Sequence, residues 1–319
     1  MGLIARLLLN ERAKFDRICG ELQTARSFPE DVEEIRDIPY LPDTEPAHRM
    51  DVYRPKRTDG PLPVVLDVHG GGLAMGSKAY NRWFNAQLCR RGFLVYSADY
   101  RLVPEHRVFD ACADISAAMD EAIRLAPDFG GKPGGIFLVG DSAGAYLIAY
   151  LTAMQRCPAM AAAAGVQAPK AEIRALGLIS GMFYTTRRDK VGLTMPRYLY
   201  GPDWRKGAFA PYLDPGQWTC LGDFPPSILV TSRNDMLHQY TVDFAGALER
   251  SGAAYRLVDY PADKRLVHAL AQLTQTFRRA RRFFRRWQIS FDRRNNSVQR
   301  MALSIRCCSL RKDGHRLCR

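Results

Sequence analysis

Apolar and polar positions along the chain fall into a repeating rhythm from about residue 62 onward. A short apolar run is followed by a polar loop and then by a stretch with apolar residues three and four apart. The first run is "LPVVLDVHG" (62–70), with helical spacing near 79–91 after it; next come "GFLVYSADY" (92–100) and helical spacing near 109–126. "GGIFLVGDSAG" (134–144) leads into a helix beginning near Ala143. "ALGLIS" (175–180) and "PSILVTSRND" (226–235) follow, then a helix near 240–251 and "YRLVDYP" (255–261). Fully apolar runs buried on both faces, separated by crossover helices, predict an α/β fold with a mostly parallel sheet and helices on both sides.

Three segments stand outside that rhythm. Residues 1–35 mix apolar and charged positions at helical spacing, and Leu7, Leu8, Phe15, Ile18 and Leu22 are expected to form the apolar stripe of an N-terminal helical segment. "EIRDIPYL" (34–41) and "HRMDVYRP" (48–55) alternate like strands on either side of the turn-rich "PDTEPA", which predicts an antiparallel edge pair. Between about 181 and 224 the pattern lapses into Pro, Gly, Tyr and Trp, read as an insertion after a strand, where lids and binding loops sit. A last helix is expected to carry Leu270, Leu273, Phe277, Ala280, Phe284 and Trp287 on one face.

Composition changes this picture little. At 319 residues and 47% hydrophobic, the chain can bury a large core. The net charge of +13 would suggest a nucleic-acid partner, but it is localised. From Arg278 to Arg319, 14 Lys or Arg stand against only Asp292 and Asp313, leaving the rest of the chain nearly neutral. Residues 288–319 are therefore expected to be a disordered basic tail, capable at most of weak contact with an anionic surface, and no specific nucleic-acid partner is expected. The start "MGLIARLLLN" does not fit a signal peptide, and Arg6 breaks the myristoylation pattern. Cytoplasmic location and reduced cysteines are the expectation. Cys307, Cys308, Cys318 and His315 fit no zinc-ligand spacing, so no metal is expected.

The chemistry is concentrated at two strand ends. Gly140, Asp141, Ser142, Ala143 and Gly144 form G-x-S-x-G between a buried strand and a helix, the context of a nucleophile elbow that lifts a serine hydroxyl out of a sheet. His69, Gly70, Gly71 and Gly72 follow an earlier strand. Consecutive glycines leave backbone N–H groups uncovered, so Gly71 and Gly72, with Ala143 at the start of its helix, are candidates for an oxyanion hole. Nucleotide readings of the glycines fail, because Ser77 stands after Gly76 where a P-loop needs Lys and no G-x-G-x-x-G opens a helix. A serine needs a base and the base an orienting acid. His268 lies after the last strand and Asp235 at the end of the preceding one, while His69 suits a structural role in the glycine loop. The chain order Ser142, Asp235, His268 is the one this architecture uses.

Together "HGGG" (69–72), "DYRLVPE" (99–105), "GDSAG" (140–144), "RND" ending in Asp235, and His268 resemble the hormone-sensitive lipase family of α/β-hydrolases, which includes bacterial carboxylesterases. The resemblance covers about residues 35–287. It implies an eight-stranded α/β-hydrolase sheet over 36–287, a small cap from residues 1–35 and the 181–224 insertion, and hydrolysis of small or short-chain acyl esters by Ser142, His268 and Asp235 without a cofactor. Asp99, Arg101 and Glu105 would be scaffold beneath the oxyanion loop. Ala145 stands where members often carry a further glycine. Two other readings stay open: a non-catalytic ligand-binding protein on this scaffold, and an amide or lactone hydrolase of the same fold. Neither the ester nor the oligomeric state is specified by the sequence.

Overall fold

The computed structural model describes residues 3–24, 27–263 and 268. Helix α1 (Leu3–Thr24) precedes an edge pair, β1 (Val32–Pro39) and β2 (Arg49–Pro55). The rhythm follows as β3 (Leu62–Val68), α2 (Arg82–Cys89), β4 (Leu94–Ala98), α3 (Val108–Leu125), β5 (Gly131–Asp141), α4 (Ala143–Arg156), α5 (Pro158–Ala164) and β6 (Ile173–Ile179). Two short helices, α6 (Lys190–Thr194) and α7 (Pro196–Tyr200), lie in the insertion before β7 (Ser227–Ser232), α8 (His238–Arg250) and β8 (Tyr255–Tyr260). The eight strands form one sheet in the order β1-β2-β4-β3-β5-β6-β7-β8, antiparallel only where β2 meets β1 and β4. The sequence-predicted helix 270–287, the basic tail, and Cys307, Cys308, Cys318 and His315 lie outside the described residues.

Alternation along the central strands divides the core between the two faces. Val64, Leu66 and Val68 of β3, Leu138 of β5 and Leu178 of β6 pack with α3, α4 and α8. Val65, Val95, Phe137, Val139 and Ile179 pack on the other face with Phe84 and Leu88 of α2. Both faces of each central strand are dry, which is why these strands read as apolar runs without alternation. Register aligns the C-terminal ends: Val68 of β3 pairs with Ala98 of β4 and Gly140 of β5, Asp141 with Ile179 of β6, and Ile179 with Val230 of β7. The loops leaving β3, β5, β6 and β7 therefore emerge along one edge, where parallel α/β sheets carry their sites.

The N-terminal region differs from expectation. One helix ends at Thr24 and β1 begins at Val32, so helix does not extend to 35. Leu7 and Ile18 of the expected stripe are about half exposed, at 52% and 50%. The inward face instead carries Ala5, Leu8, Arg12 and Phe15. Arg12 is the reason. Its Nε donates to the Ala74 carbonyl at 2.6 Å, its Nη2 to the Val103 carbonyl at 2.6 Å, and its guanidinium grips the Glu105 carboxylate at 2.9 Å. A cation with that many acceptors turns its own face of the helix inward, against the count of apolar residues.

Candidate active site

β5 ends at Asp141, and the chain turns into α4 through Ser142, whose φ of +50° lies in a region that residues other than glycine rarely adopt. The strained turn is over-determined. Ser142 N–H donates to Ile179 O at 2.8 Å, and its carbonyl accepts from Met182 N–H at 3.0 Å and Tyr146 N–H at 3.2 Å. The flanking glycines are demanded by contact. A Cβ on Gly140 would sit 2.7 Å from the Gly144 carbonyl carbon, and one on Gly144 would overlap the Val68 carbonyl at the end of β3. The elbow thus presses directly on the strand that feeds the glycine loop.

That loop is built equally tightly. Gly71 and Gly72 take φ of +103° and +63°, and a Cβ on Gly71 would collide with the Met75 carbonyl. Gly70 N–H donates to Asp141 Oδ1 at 2.9 Å, tying the loop to the residue before the serine. His69 is 1% exposed, stacks on Tyr100 at 4.3 Å and donates from Nδ1 to the Gly70 carbonyl at 2.8 Å. Burial pushes its imidazole down to about 4, so it is neutral. Among the described residues, the N–H groups of Gly71, Gly72 and Ala143 have no acceptor, and the Ala143 group stands at the N-terminus of a 14-residue helix.

The remaining partners arrive from the neighbouring strands. Asp235 follows β7, its carboxylate fully buried, and its Oδ1 accepts from Leu237 N–H at 2.8 Å. His268 Nδ1 lies 2.8 Å from the same oxygen and its Nε2 lies 2.8 Å from Ser142 Oγ. Nδ1 donating to the carboxylate leaves Nε2 free to accept the serine proton. Burial acts to raise the Asp235 carboxyl. The hydrogen bond and charge of His268, with the Ser180 hydroxyl and the Leu237 amide, outweigh it and hold the group below the usual carboxylate range.

Asp99, Arg101 and Glu105 lie in the segment that follows β4. Asp99 accepts from Lys78 N–H at 2.6 Å, Arg101 pairs with buried Asp114 at 2.6 Å, and Glu105 holds Arg12. Tyr100 Oη donates to the His69 carbonyl at 2.9 Å. Sequence reading missed Arg12 and Asp114, because no local spacing joins Arg12 to Ala74, Val103 and Glu105, or Asp114 to His48 and Arg101. It also missed Ser180, for which no local pattern exists. Among the described residues, no group of His, Cys, Asp or Glu could hold a metal ion, and no helix is long and apolar enough to cross a membrane.

A profile of the alpha/beta hydrolase fold matches residues 65–270, a span that contains every residue named at the three strand ends. A probable isoprenylcysteine alpha-carbonyl methylesterase of Arabidopsis thaliana is 37% identical over 105 residues, 33% of this chain and 22% of that protein. The carboxylic ester hydrolase LipN of Mycobacterium tuberculosis is 30% identical over 217 residues, 64% of this chain and 57% of that one. In neither does the match reach two thirds of the relative's length. Esterase B of Lactobacillus rhamnosis superimposes with a TM-score of 0.80 at 20% identity, covering 96% of this chain and 95% of that one, a likeness of fold.

Proposed function

Starting from the premise that the chain belongs to the alpha/beta hydrolase fold family, we propose that it is a serine carboxylic ester hydrolase of the hormone-sensitive lipase type, acting on small or short-chain acyl esters. The observation that carries this reading is the His268 imidazole, hydrogen-bonded at 2.8 Å to Ser142 Oγ on one side and at 2.8 Å to a buried carboxylate on the other. Relatives named as a carboxylic ester hydrolase and a methylesterase support the reaction class.

In this mechanism Ser142 Oγ attacks the ester carbonyl as His268 Nε2 takes its proton, and Asp235 holds the imidazole in the required tautomer and offsets the charge it gains. Gly71, Gly72 and Ala143 donate their N–H groups to the oxyanion of the tetrahedral intermediate. His268 then protonates the departing alcohol, leaving an acyl-enzyme that water cleaves by the same steps reversed. Each oxyanion donor is worth roughly 3 kcal/mol of transition-state stabilisation, which gives a use to backbone amides the fold leaves unpaired.

The test is turnover of p-nitrophenyl acetate. Ser142→Ala should lower kcat by about 10⁴-fold or more while the circular dichroism spectrum stays unchanged. A variant that retains the wild-type rate would end the proposal.

A further inference from the structure

One buried polar cluster lies behind the groups that would meet substrate. Asp67 of β3 is fully buried and Asp141 at the end of β5 is 1% exposed. The Asn81 amide spans them, its Nδ2 donating at 3.2 Å to Asp67 Oδ1 and at 3.1 Å to Asp141 Oδ1. Both amide hydrogens are thereby used, one on each carboxyl group. Asp141 Oδ1 in turn takes the Gly70 N–H that tethers the glycine loop.

Counting hydrogens favours a protonated Asp67, because only that state makes every contact of Ser97 a hydrogen bond. Ser97 Oγ lies 3.2 Å from Asp67 Oδ2 and 3.0 Å from the Lys78 carbonyl. A hydroxyl has one hydrogen to give, and a carbonyl can only accept. With Asp67 ionised, that one hydrogen serves one of the two acceptors; with Asp67 protonated both contacts are hydrogen bonds, Ser97 donating to the Lys78 carbonyl and accepting from Asp67 Oδ2. The same oxygen still accepts from Asn85 Nδ2 at 3.1 Å, as a carboxylic acid oxygen can. Electrostatics agrees, since burial first and the Asp141 charge second push the Asp67 carboxyl up to about 8.

We propose that Asp67 is a positioning residue of the esterase site: as a neutral carboxylic acid linked through Asn81 to Asp141, it fixes the glycine loop against the elbow that carries Ser142. The ionisable groups facing it are Asp141 from β5, Tyr53 from β2 and Tyr100 after β4. Burial raises both phenols far above their ordinary range, so they stay neutral. Ionised Asp67 would face Asp141 with like charge across one amide. The bridge would then loosen, and with it the placement of the Gly71 and Gly72 amides.

The activity part of the inference rests on the ester hydrolase reading, and the test separates the two. For p-nitrophenyl acetate, wild-type kcat/KM should fall along an alkaline limb near pH 8. Asp67→Asn, the isostere of the neutral acid, should keep the neutral-pH rate within about threefold and lose that limb. The tolerance has a structural basis. The side-chain amide that Asp67→Asn introduces can donate to Ser97, and Asn85, whose Oδ1 has no donor among the described residues, can turn its own amide to suit the new acceptor and donor pattern. Asp67→Ala should lower kcat by about tenfold or more with KM nearly unchanged.

Stability supplies a readout independent of turnover. A carboxyl raised in the folded state binds its proton more tightly there than in the unfolded chain, so stability is lost as pH rises from the ordinary carboxylate range toward 8. The advantage of Asp67→Asn over wild type in urea unfolding should therefore grow between pH 5 and pH 8. A constant gap, an inactive or unfolded Asp67→Asn, or an alkaline limb that survives in it would each overturn the proposal. Absence of any turnover in wild type would instead overturn the esterase reading, with the unfolding comparison still deciding the state of Asp67.

Discussion

The elbow at Ser142 and the helix α1 lie at the same edge of the sheet, yet they are held there by different means. The elbow is fixed by backbone. Gly140 and Gly144 have no space for a side chain, Ser142 sits at φ +50°, and main-chain bonds to β6 and the segment after it lock the turn. Helix α1 is fixed by a side chain, the Arg12 guanidinium reaching two carbonyls and a carboxylate more than sixty residues away. Backbone constraints leave a local imprint in the order of residues. A tertiary side-chain clasp leaves only one charged residue on a helix face.

This contrast accounts for what can be read in the sequence. The central strands are legible because burial on both faces demands unbroken apolar runs, and Ser142 with Gly71 and Gly72 because such loops exclude other residue types. Asp235 and His268 are legible only through chain order, since nothing local distinguishes them from a turn aspartate and a surface histidine. The orientation of α1 is not legible. Counting apolar positions turns Leu7 and Ile18 inward, whereas the acceptors that face Arg12 come from residues 74, 103 and 105, which no local spacing joins to position 12. Helix α5 escapes sequence reading because "PAMAAAA" has no apolar periodicity, only high helix propensity.

The largest effect that would sharpen the comparison is at the strand ends. Asp235→Asn should drop kcat by about 10⁴-fold by presenting the wrong tautomer of His268, with little change in KM. The same variant probes linkage. Asp235 is held below the usual carboxylate range in the folded chain, so its ionised form stabilises the fold above that range, and this contribution disappears as pH falls through the depressed value. Wild-type stability should therefore fall more steeply than that of Asp235→Asn below about pH 4. Parallel unfolding curves would contradict the assignment.

A smaller effect is expected at α1. Arg12→Ala removes donors from two carbonyls and a half-exposed carboxylate, a cost of about 1–2 kcal/mol that should lower Tm by roughly 2–5 °C. Limited proteolysis should then cut within residues 1–31 before the body of the chain. Unchanged Tm together with an uncut N-terminal segment would show that α1 is held by something other than the clasp. The smallest effect is on the outward face, where Leu7→Ser and Ile18→Ser should each change stability by less than about 0.5 kcal/mol in urea unfolding. A loss of about 2 kcal/mol at either position would mean that the apolar count, and not Arg12, had identified the inward face.

The central claim is that a serine hydroxyl raised on a strained turn is made nucleophilic by an imidazole 2.8 Å away. Treatment with a reactive alkyl phosphonate ester followed by peptide mass spectrometry tests it most directly. One adduct, on the peptide containing Ser142, is predicted for the wild type, with labelling slowed by orders of magnitude in His268→Ala. An unlabelled Ser142, or labelling equally fast without His268, would contradict it.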